Sequence, residues 1–452
     1  MQEIVNSTIT TFLVFLPELV LCAVALLLII FSLFKPRSSG VFYMAVAGLV
    51  IHAFILLTWP GPVVFKVIFT LAALVSVLIS GKSQRMEFYL LIFSVLLGSD
   101  ILISSANFIM IVLSMELISI SSYVLTAGTD ASKQRAEAAW KFFIYGSIAT
   151  AVMIFGMSYL YGATGSLSFP AIHQDNNLFT IGGIMMLAGF LFKMTAAPFH
   201  LWAPDVYEAT PSPIVAFLSV VPKLAAFLMI MPATLSTNFD WSILITVISI
   251  FTIAVGTFAA LSQTNAKRMM AYSSVAQAGF LLAIPASFSD QVSQTSLPIY
   301  YAIVFAIMNY VVFIVIHEIE KSGKGAAYTN FAGIGYSSPF IAVCIVLGLV
   351  SLTGLPPMAG FMAKLFVFSS IWTKYGDTQN PIFLALFVVG LLATATSLYF
   401  YLRIPFYAFF RRSEENQTIK ISPFTNLLLV ILVGLLLTLF LAPGLFDGPA
   451  CR

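Results

Sequence analysis

Long apolar runs of roughly 18–25 residues, separated by short polar stretches, recur along the whole chain. Each run is long enough to cross a hydrocarbon layer about 30 Å thick as an α-helix. Strands of a membrane barrel would instead alternate polar and apolar residues, which these runs do not do. The pattern therefore predicts an all-α polytopic membrane protein.

The runs predict about fourteen transmembrane helices. The first has no Lys or Arg ahead of it and is too long for a cleaved signal peptide. The seventh run is interrupted at Pro198 and the twelfth at SLTGLPPMAG (351–360), so both are predicted to be broken helices. The predicted spans are 9–34, 41–58, 62–80, 87–105, 107–127, 137–161, 179–201, 211–232, 240–261, 271–288, 297–320, 338–373, 381–405 and 422–443.

Composition agrees with this pattern. Of 452 residues, 60% are hydrophobic and 9% charged, more apolar surface than a soluble domain can cover. Loops of at most roughly 20 residues leave no room for a flavin or nucleotide domain. The chain has no Cys cluster for iron–sulfur and no Walker-type glycine loop. Cys22, Cys344 and Cys451 are expected to be inert, and no metal site is predicted.

Basic residues segregate between the loops. In the loops that follow even-numbered spans, Lys374 is the only basic residue. By the positive-inside rule, loops after odd-numbered spans face the cytoplasm and both termini face the outer side. The basic residues of those cytoplasmic loops are Lys35, Arg37, Lys82, Arg85, Lys133, Arg135, Lys267, Arg268, Lys321, Lys324, Arg411, Arg412 and Lys420.

The two broken helices are five spans apart, and a repeat of five spans returns with opposite orientation. This spacing predicts two inverted five-helix repeats, helices 4–8 (86–235) and helices 9–13 (236–410). An N-terminal three-helix segment (1–85) precedes them, and helix 14 with its tail (411–452) follows. The match is inexact, because Lys193 precedes its break whereas Lys364 follows its own.

Charged side chains also occur at mid-depth of the predicted spans, where an ionised group costs about 2.5–3.5 kcal/mol. Broken helices beside them free backbone groups that are tolerated only next to protein or internal water. Lys66 and Lys141, about one turn inside their helices, fit snorkelling as well as a buried role. Asp100 is given no role. The mid-depth set is Glu116, Lys193, Lys223 and Lys364.

This set favours proton handling over solute binding. Desolvation disfavours a charged lysine and a nearby carboxylate favours it, so a lysine between these influences can change protonation. A sugar or amino-acid carrier would instead place hydrogen-bonding side chains around one pocket. His200 and His317 have no second His or Cys at ligand spacing and are expected to be structural or interfacial rather than metal ligands.

Four segments carry a family resemblance: MELISISSYVL (115–125), EAAWKFFIYGSIATAVMIFGMSYLYGATG (137–165), FKMTAAPFHLWAPDVYEATPSPIVAFLSVVPK (192–223) and LTGLPPMAGFMAKLFVF (352–368). They resemble the antiporter-like subunits of respiratory complex I, the proton-pumping NADH:quinone oxidoreductases. The phrase PDVYEATPSP and the lysine at 364 favour the N type over the M and L types. The chain also has no place for the long lateral helix of the L type.

The resemblance implies a role for each matching residue. Glu116 matches the glutamate of helix 5, and Lys193, Lys223 and Lys364 match the lysines of helices 7, 8 and 12. Lys141 matches an additional lysine of helix 6. Glu116 and Lys193 are then expected to form a coupling ion pair, with Lys223 loaded from the cytoplasm and Lys364 releasing outward.

The sequence departs from the family pattern in two places. Asp100 stands where relatives usually have an apolar residue, and the eleventh span offers Asn309 and Tyr310 but no mid-depth histidine. Ser, Tyr or water is expected to fill the route from Lys223 to Lys364.

The resemblance also implies partners. Flavin, iron–sulfur clusters and quinone are expected in partner subunits. M-type and K-type neighbours are expected in a bacterial inner membrane, and no nucleic acid is expected.

Three alternatives stay open from the sequence. A subunit of a multisubunit sodium/proton antiporter would share the fold without redox partners. A structural spacer would tolerate leucine at the mid-depth lysines. A flippase or solute carrier would transport a substrate as the isolated chain.

Overall fold

The computed structural model is helical throughout the residues that it describes. These are 15–34, 39–59, 63–82, 84–128, 132–168, 177–235, 241–288, 291–411, 419 and 421–446. Over these ranges there are 17 α-helices, two short 3₁₀ segments and no strand. The helices are α1 (Leu16–Phe34), α2 (Ser39–Thr58), α3 (Val64–Ser80), α4 (Met86–Ser104), α5 (Phe108–Ala127), α6 (Lys133–Thr164), α7 (Asn177–Lys193), α8 (Ala203–Ala209), α9 (Ser212–Leu235), α10 (Trp241–Leu261), α11 (Ala266–Ala286), α12 (Gln291–Lys321), α13 (Ile334–Ser337), α14 (Pro339–Thr353), α15 (Ala359–Thr378), α16 (Pro381–Phe410) and α17 (Pro423–Leu441).

The helices match the predicted spans in number and order. In the described part of the chain, eleven helices are long and apolar enough to cross a membrane. Three shorter apolar helices, α3, α7 and α14, stand where the third, seventh and twelfth spans were predicted. The prediction of an all-α multi-pass membrane protein with about fourteen crossings is confirmed.

Both predicted breaks are present. Helix α7 ends at Lys193, and the chain is irregular until α8 begins at Ala203. Helix α14 ends at Thr353 and α15 begins at Ala359. A cis proline bond lies in each break, at Ala197–Pro198 and at Pro356–Pro357. Each break falls in the fourth helix of a predicted five-helix repeat.

Several basic residues predicted in loops lie instead in first helical turns. The side chain of Ser132 accepts a hydrogen bond from the backbone of Arg135, so α6 begins at Lys133. Asn265 caps α11 in the same way, so Lys267 and Arg268 are helical. These caps start the helices before the apolar residues begin, which hydropathy alone does not register. Lys35, Arg37, Arg412, Lys420 and Cys451 lie outside the described residues.

The centre of the bundle is formed by α9, α11 and α12. Over the apolar 18-residue stretch of each helix, 94% of the residues are buried in α11 and 89% in α9 and α12. Helix α11 is also the least apolar of the eleven long spans in the described part of the chain. A span that is both the least apolar and the most buried must direct its polar side chains at protein rather than at lipid.

Candidate functional site

Lys193 ends α7 in a buried aromatic setting. Its side chain is 3% exposed, and Nζ donates a hydrogen bond to Oγ of Ser119 at 2.8 Å. The ring centroids of Tyr123 and Phe142 lie 5.8 and 5.7 Å from Nζ. At that range an aromatic face attracts a cation, by about 0.5–2 kcal/mol. The end of α7 is therefore a pocket that accommodates an ammonium group without a carboxylate in contact.

Glu116 does not form the predicted ion pair with Lys193. Its carboxylate is half-buried and accepts a hydrogen bond from the Thr150 hydroxyl of α6 at 2.6 Å. Glu116 and Ser119 stand three residues apart on one side of α5, and the lysine reaches the serine. The Glu116 carboxylate therefore does not contact Lys193, and only a longer-range electrostatic interaction connects the two groups.

The break after α7 connects Lys193 to Lys223. Thr195, two residues after Lys193, adopts a left-handed backbone with φ of 62°. Its hydroxyl accepts a hydrogen bond from Nζ of Lys223 at 2.8 Å. Lys223 is 1% exposed, and it also donates to the carbonyl and hydroxyl of Ser274 on α11, at 2.6 and 2.5 Å. Neutral oxygens thus satisfy the donors of this buried ammonium group.

The polar face of α11 continues toward the second break. Gln277 lies one turn after Ser274. Its Oε1 accepts a hydrogen bond from the Tyr301 hydroxyl at 2.5 Å, and its Nε2 donates to the carbonyl of Leu352 at 3.2 Å. Leu352 is the residue before Thr353, where α14 ends. Gln277 therefore joins α12 to the end of α14.

Lys364 completes this row of groups. Its Nζ donates to the backbone carbonyl of Thr353 at 2.8 Å and lies 4.9 Å from the centroid of the Phe280 ring. The free carbonyls at a helix C-terminus carry partial negative charge, which favours a cation there. Together these groups form what we call the central polar chain, which consists of Ser119, Lys193, Thr195, Lys223, Ser274, Gln277, Tyr301, Leu352, Thr353 and Lys364.

The expectation that Ser, Tyr or water fills the route from Lys223 to Lys364 stays a prediction, for which Ser274 and Tyr301 supply candidate hydroxyl groups. Asn309 and Tyr310, the residues named from the sequence, lie elsewhere. Asn309 donates to a carbonyl of its own helix, and the Tyr310 hydroxyl bonds Ser76 on α3. Gln277 was missed, although the polar stretch AYSSVAQ (271–277) in a weakly apolar span signalled it.

Lys141 lies outside the central polar chain, in a half-exposed ion-pair network. Its Nζ contacts Asp205 on α8 at 2.7 Å and Glu137 at 2.9 Å. Arg268 of α11 contacts Asp205 at 2.9 Å and Glu208 at 2.8 Å. Burial alone would raise the pKa of Asp205, but hydrogen bonds from Lys141 and Arg268 outweigh burial and lower it. The network ties α6, α8 and α11 together.

The structure also places Lys66 differently from a snorkelling side chain. Its Nζ lies 2.5 Å from a carboxylate oxygen of Glu18, and both side chains are largely buried. Among the residues that the structure describes, no group of three or more His, Cys, Asp or Glu side chains is positioned to hold a metal ion.

Comparison with known proteins points in one direction. A family model described as NADH:quinone oxidoreductase/Mrp antiporter, TM, matches residues 105–394. The chain is 33% identical to NADH-quinone oxidoreductase subunit N 2 of Chloroherpeton thalassium, over 99% of this chain and 94% of that protein. It is also 33% identical to F(420)H(2) dehydrogenase subunit N of Methanosarcina mazei, over 96% and 95% of the two chains.

Solved structures agree with the sequence matches. A chain of respiratory complex I from Thermus thermophilus superposes with a TM-score of 0.84 at 28% identity, covering 95% of this chain and 98% of that one. A chain of the Mrp complex from Dietzia sp. superposes with a TM-score of 0.77 at 18% identity, over 95% and 94% of the two chains. At that identity the second match establishes the fold alone.

Proposed function

The chain belongs to the NADH:quinone oxidoreductase/Mrp antiporter family of membrane subunits, and from this premise we propose that it moves protons across the membrane. It does so as an N-type subunit of a complex whose partner chains pass electrons to quinone. Sequence identity of 33% to a subunit N over nearly the whole chain supports this assignment. The driving reaction belongs to the partners, and this chain contributes the proton path.

The observation that carries the proposal is the bonding of the buried lysines to hydroxyl groups. Lys193 bonds Ser119, and Lys223 bonds the hydroxyls of Thr195 and Ser274. A hydroxyl can donate as well as accept. Each lysine therefore keeps a hydrogen-bond partner as a charged ammonium and as a neutral amine. A carboxylate partner, in contrast, would hold the charged form and oppose release of the proton.

Loading of Lys223 proceeds from the side that carries the basic loops. A cavity of about 460 Å³ opens there, lined by Arg85, Glu87, Arg135 and His317. The cavity also touches Ile214 in the first turn of α9, nine residues before Lys223. Nine residues of helix correspond to about 14 Å. The proton crosses this distance within the bundle to reach the lysine.

Release follows from Lys364 toward the opposite side. Helix α15 leads from the second break to a helix end near Lys374, away from the basic loops. Glu116 modulates the other end of the path, because its negative charge stabilises the ammonium form of Lys193. When a neighbouring subunit moves the Glu116 carboxylate away from Lys193, this lysine passes its proton along the central polar chain.

The test uses the assembled complex in sealed vesicles with its electron donor. Lys193→Gln and Lys223→Gln are each expected to abolish or strongly reduce proton pumping while the complex still assembles. Lys133→Gln is the control, since Lys133 is exposed at the start of α6, outside the central polar chain. Full pumping by both Lys193→Gln and Lys223→Gln, with assembly intact, rejects the proton path and favours the interpretation as a structural spacer.

The same preparation separates the remaining rival and identifies the neighbours. We infer M-type and K-type membrane subunits as partners in a bacterial inner membrane, with both termini outside. Co-purified quinone-reductase subunits support the assignment. A complex that contains only antiporter subunits and exchanges sodium for protons without an electron donor contradicts it.

A further inference from the structure

Four titratable side chains from four helices meet in the N-terminal part of the bundle, apart from the central polar chain. They are Glu18 of α1, His52 of α2, Lys66 of α3 and Asp100 of α4. The Lys66 ammonium lies 2.5 Å from a Glu18 oxygen, and Nε2 of His52 lies 3.6 Å from Oδ2 of Asp100. His52 and Asp100 are both 0% exposed. The sequence drew attention only to Lys66 and Asp100.

The hydrogen bonds of Thr70 indicate which ring nitrogen of His52 is unprotonated. That nitrogen directs its lone pair toward the Asp100 carboxylate. The Thr70 hydroxyl donates its one hydrogen to the carbonyl of Lys66 at 2.8 Å. Its oxygen is also 2.9 Å from Nδ1 of His52, and with the hydroxyl hydrogen on the Lys66 carbonyl this oxygen accepts from an Nδ1–H group. In the neutral imidazole, Nε2 is then the unprotonated nitrogen. That nitrogen is the one beside Asp100.

The charges of the cluster balance only if one more proton is present. Glu18 and Lys66 cancel each other. An ionised Asp100 beside a neutral His52 would leave one net negative charge in the protein interior. Neither oxygen of Asp100 has a hydrogen-bond partner, and Nε2 of His52 also has none. Burying a carboxylate without donors is strongly unfavourable, whereas a proton between the two groups removes the net charge.

We propose that His52 and Asp100 together bind one proton, forming a proton site separate from the central polar chain. The proton is carried either by the carboxyl group, which then faces the lone pair of Nε2, or by the imidazole, which then faces a carboxylate. Both forms give the cluster zero net charge. The proposal does not rest on the proton path through Lys193, Lys223 and Lys364.

A metal cation fits this site poorly. The electrostatic neighbours of Asp100 are Lys66 and Glu18, so an ammonium group already occupies the surroundings and repels a second cation. Hard cations also require about six or more oxygen ligands, and here two carboxyl groups and one committed hydroxyl converge. The site therefore suits a proton, which needs only two atoms.

Helix packing places this site beside the helix that carries Glu116. Gly98 of α4 lies directly against Ile118 and the backbone of Ser114 on α5, where a Cβ atom would collide. Asp100 is two residues further along α4. A substitution at Asp100 does not alter Gly98, the residue of this close contact between α4 and α5.

The test is infrared difference spectroscopy of the purified, assembled complex, comparing the unmodified protein with Asp100→Asn in H₂O and D₂O. We expect loss of a deuterium-sensitive band, either of a protonated carboxyl group or of an imidazolium. Asp377→Asn, at an exposed position at the end of α15, provides the reference spectrum for loss of an ordinary carboxylate. A difference identical to that reference overturns the proposal, because Asp100 is then ionised beside a neutral histidine.

A second variant covers the case in which Asp100→Asn does not assemble. In His52→Gln the imidazole is gone, so Asp100 is expected to hold the proton itself and to give one protonated-carboxyl band. A spectrum of His52→Gln without that band overturns the proposal. A carboxylate band of the unmodified complex that shifts with sodium concentration also overturns it, in favour of a metal-cation site.

Discussion

The Nζ atom of Lys193 lies 2.8 Å from Oγ of Ser119, and this hydroxyl, rather than the Glu116 carboxylate, accepts its hydrogen bond. The difference matters because a direct ion pair would hold the charged lysine, whereas a hydroxyl serves either protonation state. Glu116 is left to act by its field, with its carboxylate bonded to Thr150. In the proposed proton path, coupling between Glu116 and Lys193 is therefore expected to depend on Ser119 as well.

Replacing Ser119 by Ala tests this dependence. The ammonium of Lys193 then loses its acceptor, and a hydrogen bond to a charged group is worth about 1.5–3 kcal/mol. We expect proton pumping by the assembled complex in vesicles to fall at least several-fold. Ser114→Ala is the matched control, because Ser114 is buried on the same helix and bonds only carbonyls of that helix. Equal pumping in both variants would contradict a role for Ser119.

Gln277→Leu breaks the link between α11 and the end of α14. The substitution removes both the acceptor of the Tyr301 hydroxyl and the donor to Leu352. We expect pumping to be lost or strongly reduced while electron transfer to quinone persists or slows.

Tyr301→Phe removes one of these bonds and should give a smaller loss of pumping. Tyr300→Phe is its control, because the hydroxyl of Tyr300 points to the carbonyl of Leu439. A larger loss in Tyr300→Phe than in Tyr301→Phe would place the path elsewhere.

Gly354→Ala is expected to destabilise the second break. Gly354 has φ of 84°, a left-handed conformation that costs a residue with a Cβ atom about 1–2 kcal/mol. A Cβ atom would also press on the side chain of Lys364. We expect a lower midpoint of thermal unfolding in detergent. Gly376→Ala on α15 has open space around it and should leave the midpoint unchanged or slightly higher.

Asp205 contributes a pH-dependent part of the stability. Its folded-state pKa lies below the ordinary value of 3.8, because bonds from Lys141 and Arg268 outweigh the opposing effect of burial. This contribution is fully present above the ordinary pKa and is lost as the pH falls through the folded-state pKa. The pairs are partly exposed, so we expect at most about 1 kcal/mol.

Asp205→Asn removes the contribution, and thermal unfolding followed from neutral pH downward measures it. The variant should be less stable than the unmodified protein at neutral pH. The gap between their midpoints of thermal unfolding should narrow once the pH falls below the ordinary pKa of an aspartate. Asp377→Asn, at an exposed position, should show no such gap. A gap that persists unchanged in acid would mean that Asp205 acts through packing rather than charge.

The sequence predicted the spans well because hydrocarbon imposes a simple requirement on length and polarity. The helices α1 to α17 accommodate each predicted span, and both breaks lie where proline and glycine interrupt apolar runs. Helix starts were less accurate. Capping by Ser132 and Asn265 extends α6 and α11 into segments that hydropathy reads as loop.

Partners of the buried charges were less predictable from the sequence. Lys66 allowed two interpretations, and only the position of Glu18, 48 residues earlier in the chain, decides between them. His52 drew no attention, because a single histidine in an apolar helix carries no pattern. Contacts between residues far apart in sequence depend on helix packing, and periodicity along one helix does not encode it.

By itself, the sequence determined that this protein spans the membrane many times and where its helices break, and it predicted which lysines lie at mid-depth. Those properties follow from the transfer free energies of individual side chains, which are local. The tertiary structure decided that Lys193 bonds Ser119, that Gln277 joins Tyr301 to the end of α14, and that His52 faces Asp100. These pairings depend on how rigid helices rotate against one another, which only packing of the whole bundle fixes.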